Sequence, residues 1–391
     1  LRLTVGSIKI KEGSISGKII ITTGKYPEFK FNDILKVSGK LETPVILDNF
    51  DYQKYLEKDN IFATISFPKL ELVGRKKAGV SMIYEGILFL KYKLRESIQK
   101  NFSPPQSSTL EGMILGDNNA LSNDLKNKLN VTGLRHIIAI SGTHVVILSS
   151  ILMSFFLAIG LWRSQAFYLS LSLIIIYVIL SGSPSSGVRS LIMGGIFMYG
   201  QKIGRKSISA RTIVIAGALM LIINPLLLFY DVGFQLSFLA CFGMIYLSPI
   251  FLRLFKSFLN EKFINFQSMV STTLAAQAFT LPIMVYNFGN ISFISIITNI
   301  LVLPVVYPLM VFGFISTFMG VFFNLVSWVF VLPAWFLLTY FAEIIDIFSL
   351  PRFLFQLNNV HWLYLVLFYF ALFGFIFFLN KKSPKGFLRE K

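Results

Sequence analysis

Cysteine, histidine and acidic residues are all scarce in this chain. The single cysteine, Cys241, lies inside the apolar run VGFQLSFLACFGMIYL, which excludes an internal disulfide and a cysteine-based metal site. Three histidines in 391 residues leave little room for a metal centre. No phosphate loop or other nucleotide-binding motif is present, and no cofactor is expected. Acidic residues number 19 against 36 lysines and arginines, a net charge of +17. Such an excess points to anionic partners, either lipid head groups or nucleic acid. The chain starts at Leu1, with no charged, apolar, small-residue leader before the first structured segment; the expectation is that N-terminal sequence has been lost.

What is abundant is apolar sequence: 54% of residues are hydrophobic and 14% charged, with a mean hydropathy of +0.68. The apolar residues fall in long runs divided by short polar loops, the pattern of a polytopic membrane protein. The expected fold is mainly α, a transmembrane helical bundle of about nine spans near 137–161, 166–182, 187–202, 208–223, 233–252, 268–287, 292–318, 321–349 and 361–379. Ahead of it, residues 1–73 alternate charged and β-branched residues between Gly, Pro and Asn-Asp turns, which predicts a small β domain. Residues 75–101 place Met82, Ile83, Ile87, Leu90, Leu94 and Ile98 at helical spacing among basic residues. That spacing fits an amphipathic helix on a membrane surface and equally a helix packed on protein. The membrane part is bounded at 108–380, with a basic tail at 381–391. Its first piece, LEGMILGDNNALSNDLKNKLNVTG, reads as two short helices around a turn.

Basic loops resist translocation. With nine alternating spans, KIGRKSISAR, RLFKSFLNEKF and the tail NKKSPKGFLREK fall on one side, whereas SGSPSSG, NPLLLFYD and NFGNIS carry no basic residue. This puts the C-terminus in the cytoplasm and segment 1–136 outside.

Polar groups at membrane depth cost at least ~2.5 kcal/mol for a charge, so each needs a reason. Arg189, in SGSPSSGVRSLIMGG, either snorkels to the outer interface or lines a path for an anion. His136, Ser141 and His144 open the first span with Gly142 between the last two. Three readings fit: close helix packing through Gly142; a helix broken at Ser-Gly beside a cavity; or an intramembrane hydrolase with Ser141 as nucleophile and a histidine as base. Asp231, Gln235 and Ser237 carry polarity into the fifth span, Gln277, Thr280 and Pro282 into the sixth, and Asn299, Pro304 and Pro308 into the seventh. Intraspan prolines free carbonyls and favour a bundle built around an irregular path.

These motifs together resemble the ComEC family of DNA-uptake channel proteins of bacterial natural transformation. TGLRHIIAISGTHV matches the family's Thr-Gly-Leu, His, Ala-Ile-Ser-Gly, His-Val pattern. SPSSGVRSLIM matches its Ser-Pro, Arg, Met segment, and DVGFQLSFLA its Gly-Phe-Gln-Leu-Ser signature. AAQAFTLPIMVYNFGNISFISIITNILVLP matches its Gln, Thr-Leu-Pro, Asn, Pro pattern. DNFDYQKYLEKDNIFATI is similar to the end of the family's OB-like domain, so the resemblance makes 1–73 a partial, extracytoplasmic OB-like domain. Members typically have helices before that domain, and many carry a C-terminal metallo-β-lactamase-like nuclease domain. This chain begins inside the OB-like part and has no His-rich metal motif, so that nuclease is not expected on these residues, nor is the chain expected to be an enzyme.

The resemblance implies a multi-pass protein of the bacterial cytoplasmic membrane that conducts single-stranded DNA. Its expected partners are that strand, membrane lipids, and other competence components, including a DNA receptor, a nuclease and a cytoplasmic ATP-driven motor; homo-oligomerisation is left open. Outer collection of DNA would fall to Lys25, Tyr26, Phe29, Lys30, Phe31, Lys91 and Lys93, by charge and base stacking. The path would be lined by Arg135, His136, Ser141, Gly142, His144, Arg189, Gln235, Ser237, Gln277 and Asn299. The rival readings are a transporter of a small or lipid-linked substrate with a broken first helix, and the intramembrane hydrolase.

Overall fold

The structure is a computed structural model that describes residues 2–5, 8–10, 13–15, 17–24, 29, 31–44, 52–75, 81–202, 209–258, 263–322, 324–350, 354–357 and 361–382. Its contacts divide it into two compact units: Leu1–Phe89 with Leu221–Asp231, and Leu90–Met220 with Val232–Lys391.

The first unit carries the β region. Strands β1 (Arg2–Val5), β2 (Ile8–Ile10), β3 (Gly13–Ile15), β4 (Lys18–Thr22) and β5 (Asp33–Ser38) precede a short helix α1 (Tyr52–Glu57), followed by β6 (Ile61–Ser66) and β7 (Lys69–Arg75). β4 is central to a sheet of order β1-β4-β6, antiparallel to β1 and parallel to β6. β2 pairs with β3 and β5 with β7, both antiparallel. The sequence KIIIT does not alternate because both faces of β4 are covered. Ile19 and Ile21 pack with Ile65, Val37 and Leu70, while Ile20 faces the other way, onto Leu56 and Ile61. Full burial of one such side chain is worth about 1.5–3 kcal/mol.

The same unit contains α10 (Leu227–Tyr230), from the loop NPLLLFYD. Lys58 Nζ lies 2.7 Å from Asp231 Oδ2, with both side chains under 10% exposed. Asn224 Nδ2 donates to the Lys58 carbonyl at 2.9 Å, and Lys58 Nζ sits 4.1 Å above the Tyr55 ring. Burial works against the charge on Lys58. The hydrogen bond and opposite charge of Asp231 more than offset it, so its pKa is raised above an ordinary lysine's.

The chain continues into α2 (Ser81–Asn101), α3 (Gln106–Leu115), α4 (Asn123–Thr132), α5 (Arg135–Ile138), α6 (Gly142–Ala158), α7 (Arg163–Leu180), α8 (Ser185–Lys202) and α9 (Ser209–Ile223). Past α10 come α11 (Val232–Phe242), a π-helical turn at Gly243–Leu247, α12 (Ser248–Phe258), α13 (Ile264–Phe288), α14 (Ser295–Phe322), α15 (Asn324–Phe348) and α16 (Trp362–Lys382). A two-stranded ladder joins β8 (Asn290–Ser292) to β9 (Leu354–Gln356). The two short helices expected before the first span are α3 and α4. Each ends on a glycine in the left-handed region, Gly116 and Gly133, both at φ 71°.

All nine expected spans fall on helices. Among the described residues, six segments are long and apolar enough to cross a membrane: Arg135–Ala158, Arg163–Leu180, Val232–Lys256, Ile264–Phe288, Ser295–Phe322 and Ser327–Phe348. Ala210–Ile223 and Trp362–Phe378 are apolar but shorter, and α8, which carries Arg189, covers the remaining expected span. Exposed Val329, Phe336, Phe370 and Phe377 form the apolar exterior of a multi-pass membrane protein. Inside the second unit, small residues let helices touch. A Cβ at Gly243 would collide with the Ala275 carbonyl of α13, which puts the π turn at the closest approach of the two helices. Gly313 admits Leu110 of α3, and Gly320 admits Ser97 of α2, whose hydroxyl donates to the Thr317 carbonyl at 2.9 Å.

Candidate functional site

The first span is interrupted. Gly133 ends α4, four residues form α5, and then Ala139 (ψ 134°) and Ser141 (φ −125°, ψ 177°) are extended before α6 begins at Gly142. This is the helix break predicted at Ser-Gly. Ser141 and His144 close the new helix end: the Ser141 N–H donates to His144 Nδ1 at 3.1 Å, and Ser141 Oγ lies 2.9 Å from the same nitrogen. A nucleophile and its base would also bring Oγ and Nδ1 together. Here the backbone N–H occupies Nδ1 as well, which is the arrangement of a helix cap. Because Nδ1 accepts, a neutral His144 ring carries its proton on Nε2. The ring is 1% exposed, and Nε2 has no hydrogen-bond partner among the described residues.

The first turns of α8 fill the break. Ser186 Oγ donates to the carbonyl of Ile140, an acceptor that the interruption released. A Cβ at Gly142 would stand 2.8 Å from Ser190 Oγ and 3.3 Å from a terminal guanidinium nitrogen of Arg189, so glycine is what lets α8 close on the start of α6. Arg189 is 7% exposed. Its guanidinium contacts Cys241 Sγ of α11 and Met193 Sδ at 3.9 Å, and lies 5.8 Å from the centroid of the Phe238 ring. Among the described residues no carboxylate lies within ion-pair distance of Arg189, and its Nε has no hydrogen-bond partner. Arg189 therefore does not snorkel to an interface; it is an internal cation.

Four expected path residues, Ser141, Gly142, His144 and Arg189, thus come together. Gln235 and Ser237 are half-buried on α11, the helix that supplies Cys241 and Phe238. Arg135 and His136 turn outward: Arg135 donates to Asn130 Oδ1 at 3.2 Å, and His136 Nδ1 sits 2.9 Å from the Gly133 carbonyl. Gln277 belongs to a second polar knot that ties α4 to α13 and α14. Its Nε2 donates to Ser295 Oγ at 2.7 Å, Ser292 Oγ donates to the Val131 carbonyl, and Thr298 Oγ1 donates to the Thr132 carbonyl at 2.7 Å. Asn299 is 3% exposed, with Oδ1 unpartnered among the described residues.

The expected outer collection residues are described in part. Lys25, Tyr26 and Lys30 lie outside the described residues. Phe29 is half-buried, and Phe31 packs on Tyr84 with centroids 4.8 Å apart. Lys91 donates to the Leu180 carbonyl at 3.0 Å, and burial lowers its pKa. Lys93 pairs with Glu96 at 3.3 Å. The sequence reading missed Ser186 and the Arg189–Cys241 contact. It also missed a charged cluster on α2 and α3: Arg95 bonds Asp117, and Glu111, almost fully buried, accepts from Gln99 at 2.8 Å. Burial raises the pKa of Glu111 in spite of Gln99 and Arg95.

The family model described as "Competence protein" matches residues 113–382, which includes the break, α8 and α11. The chain belongs to the competence protein family. Within it, the chain is similar to ComE operon protein 3 of Bacillus subtilis (strain 168), with 29% identity over 273 residues, 69% of this chain and 33% of that protein. The chain thus spans about a third of the length of this curated relative. The β region lies outside the family match, and no solved structure matches the chain.

Proposed function

We propose that this competence-family protein conducts single-stranded DNA across the cytoplasmic membrane during natural transformation. The observation that carries the reading is Arg189, an internal cation without a carboxylate partner among the described residues, set against the broken end of the first span. Each nucleotide brings a phosphate charge that hydrocarbon cannot solvate, so a conducting protein must supply cations and donors in place of water. Weak, repeated contacts suit passage, since tight ones would stall it. The basic loops support a cytoplasmic C-terminus, and the β region, read as a partial OB-like domain, would then collect the strand outside. The driving force comes from a partner motor or from the gradient, and trimming of the second strand from a partner nuclease.

The test is uptake of labelled DNA into the cytosol of competent cells whose own copy carries Arg189→Ala or His144→Ala. Both variants should reach the membrane at wild-type levels and admit at least tenfold less DNA. Normal transformation with both would remove these residues from the path.

A further inference from the structure

The α5–α6 interruption frees backbone acceptors and donors alike, and both kinds find partners, the Ser141 N–H donating to His144 Nδ1. The Ile140 carbonyl is satisfied by Ser186. Among the described residues, two side-chain nitrogens are left buried and unpartnered beside the break, Arg189 Nε and His144 Nε2, and both are N–H donors in the forms deduced above. A guanidinium carries five such donors, and the acceptors that Arg189 meets here are two sulfurs and a ring face, all weak. An unpaired buried charge costs several kcal/mol. The charge also stands beside the first residue of α6, a 17-residue helix whose N-terminal end carries a partial positive charge of about half a unit. Two positive features pressed together inside the protein would be balanced by an anion between them.

We infer that the break between α5 and α6, faced by Arg189, is a binding site for a single phosphodiester group, held by the guanidinium fork and the first turn of α6. The choice of phosphodiester rests on the DNA-conduction reading. Such a group is a monoanion with two free oxygens, which matches a guanidinium fork and a helix N-terminus. Gly142, with no side chain, lets the Arg189 guanidinium approach the first turn of α6. Met193, Cys241 and Phe238 offer nothing that reads base edges, so the station takes any nucleotide.

Cys241 reports on the site without engineering, because it is the sole cysteine and touches Arg189. The full chain in phosphatidylcholine nanodiscs is treated with two methanethiosulfonates of similar size, one carrying a sulfonate and one a trimethylammonium. The sulfonate reagent should react about tenfold faster, relative to the same pair on free 2-mercaptoethanol. Inorganic phosphate should slow it, and Arg189→Gln, or Arg189→Met if the first folds poorly, should abolish both effects. Equal selectivity in wild type and variant, or a Cys241 that neither reagent reaches, overturns the anion site.

A second arm names the anion. Wild type should bind a fluorescent oligothymidylate but not its uncharged methylphosphonate analogue. Arg189→Gln should weaken that binding about tenfold and reduce the salt slope by about 0.7, one phosphate contact on a single strand. If Cys241 is charge-selective and the oligonucleotide binds wild type and variant alike, the station holds another anion and the phosphodiester assignment falls, while DNA conduction stands. If wild type binds no oligonucleotide, DNA conduction and the phosphodiester assignment fall together.

Discussion

Breaking the Lys58–Asp231 pair from either side should unlock the contact between α1 and the loop before α11. The two groups are 2.7 Å apart with side chains 8% and 9% exposed, so each is desolvated and paired with the other. Lys58→Met leaves a buried carboxylate, and Asp231→Leu leaves a buried ammonium. Removing one partner of such a pair costs about 3–5 kcal/mol, whereas replacing both with apolar groups is often neutral. Hydrogen exchange measured by mass spectrometry on peptides covering 52–66 and 221–231 reads this as local opening. About 3 kcal/mol is roughly a hundredfold faster exchange. Each single variant should show it, and the double variant Lys58→Met with Asp231→Leu should return to within a few-fold of wild type. The reasoning is refuted if the single changes accelerate exchange less than about fivefold, or if their effects add in the double variant. The pH dependence has a definite sign. The folded pKa of Lys58 is raised above 10.5, so its contribution is complete below that value and is lost only as pH climbs through the higher folded one. The lock therefore does not loosen through the titration of Lys58 anywhere near neutral pH.

Two further substitutions probe the second unit. Gly243→Ala should destabilise the purified protein by about 1–3 kcal/mol, because its Cβ meets the Ala275 backbone rather than a flexible side chain. Gly194→Ala, with nothing within 4 Å of the added carbon, should be neutral or slightly stabilising, and thermal unfolding in detergent that ranks the two equally would contradict this packing. Glu111 has a raised pKa, so its stabilising contribution is full below the ordinary glutamate value and is lost as pH rises through the folded one. Glu111→Gln mimics the neutral form and should be at least as stable as wild type at pH 7, with the difference closing towards pH 4. A clear loss at pH 7 would show that the carboxylate's contact with Arg95 outweighs its burial.

How legible each feature was depended on whether its cause is local. The long apolar helices follow from runs of apolar residues, and the break in the first span follows from Ser-Gly followed by His144, a cap written within four residues. KIIIT as a central strand and the glycine stops of α3 and α4 are local in the same sense. Lys58–Asp231 spans 173 positions and Arg189–Cys241 spans 52. In each case at least one partner looks ordinary in its own segment, so neither pairing leaves a trace in periodicity or spacing. Arg135 and His136 mark the reverse limit: they share the motif with His144, but helical phase leaves them exposed, whereas His144, at a cap, is buried.

The treatment of the break carries the functional argument furthest. An interruption made only to accommodate packing would be expected to satisfy the polar groups it releases, donors and acceptors alike, since each unmet buried group costs about 1–3 kcal/mol. Here the released Ile140 carbonyl and Ser141 N–H are both met, by Ser186 and His144, yet among the described residues two side-chain donors brought to the break, Arg189 Nε and His144 Nε2, are left without partners where Gly142 lets α8 come close. The deficit at these two nitrogens has a chemical sign. It would be relieved by an acceptor carrying negative charge, and a strand with a phosphate at every nucleotide brings one such acceptor after another past a site that need only hold each of them briefly.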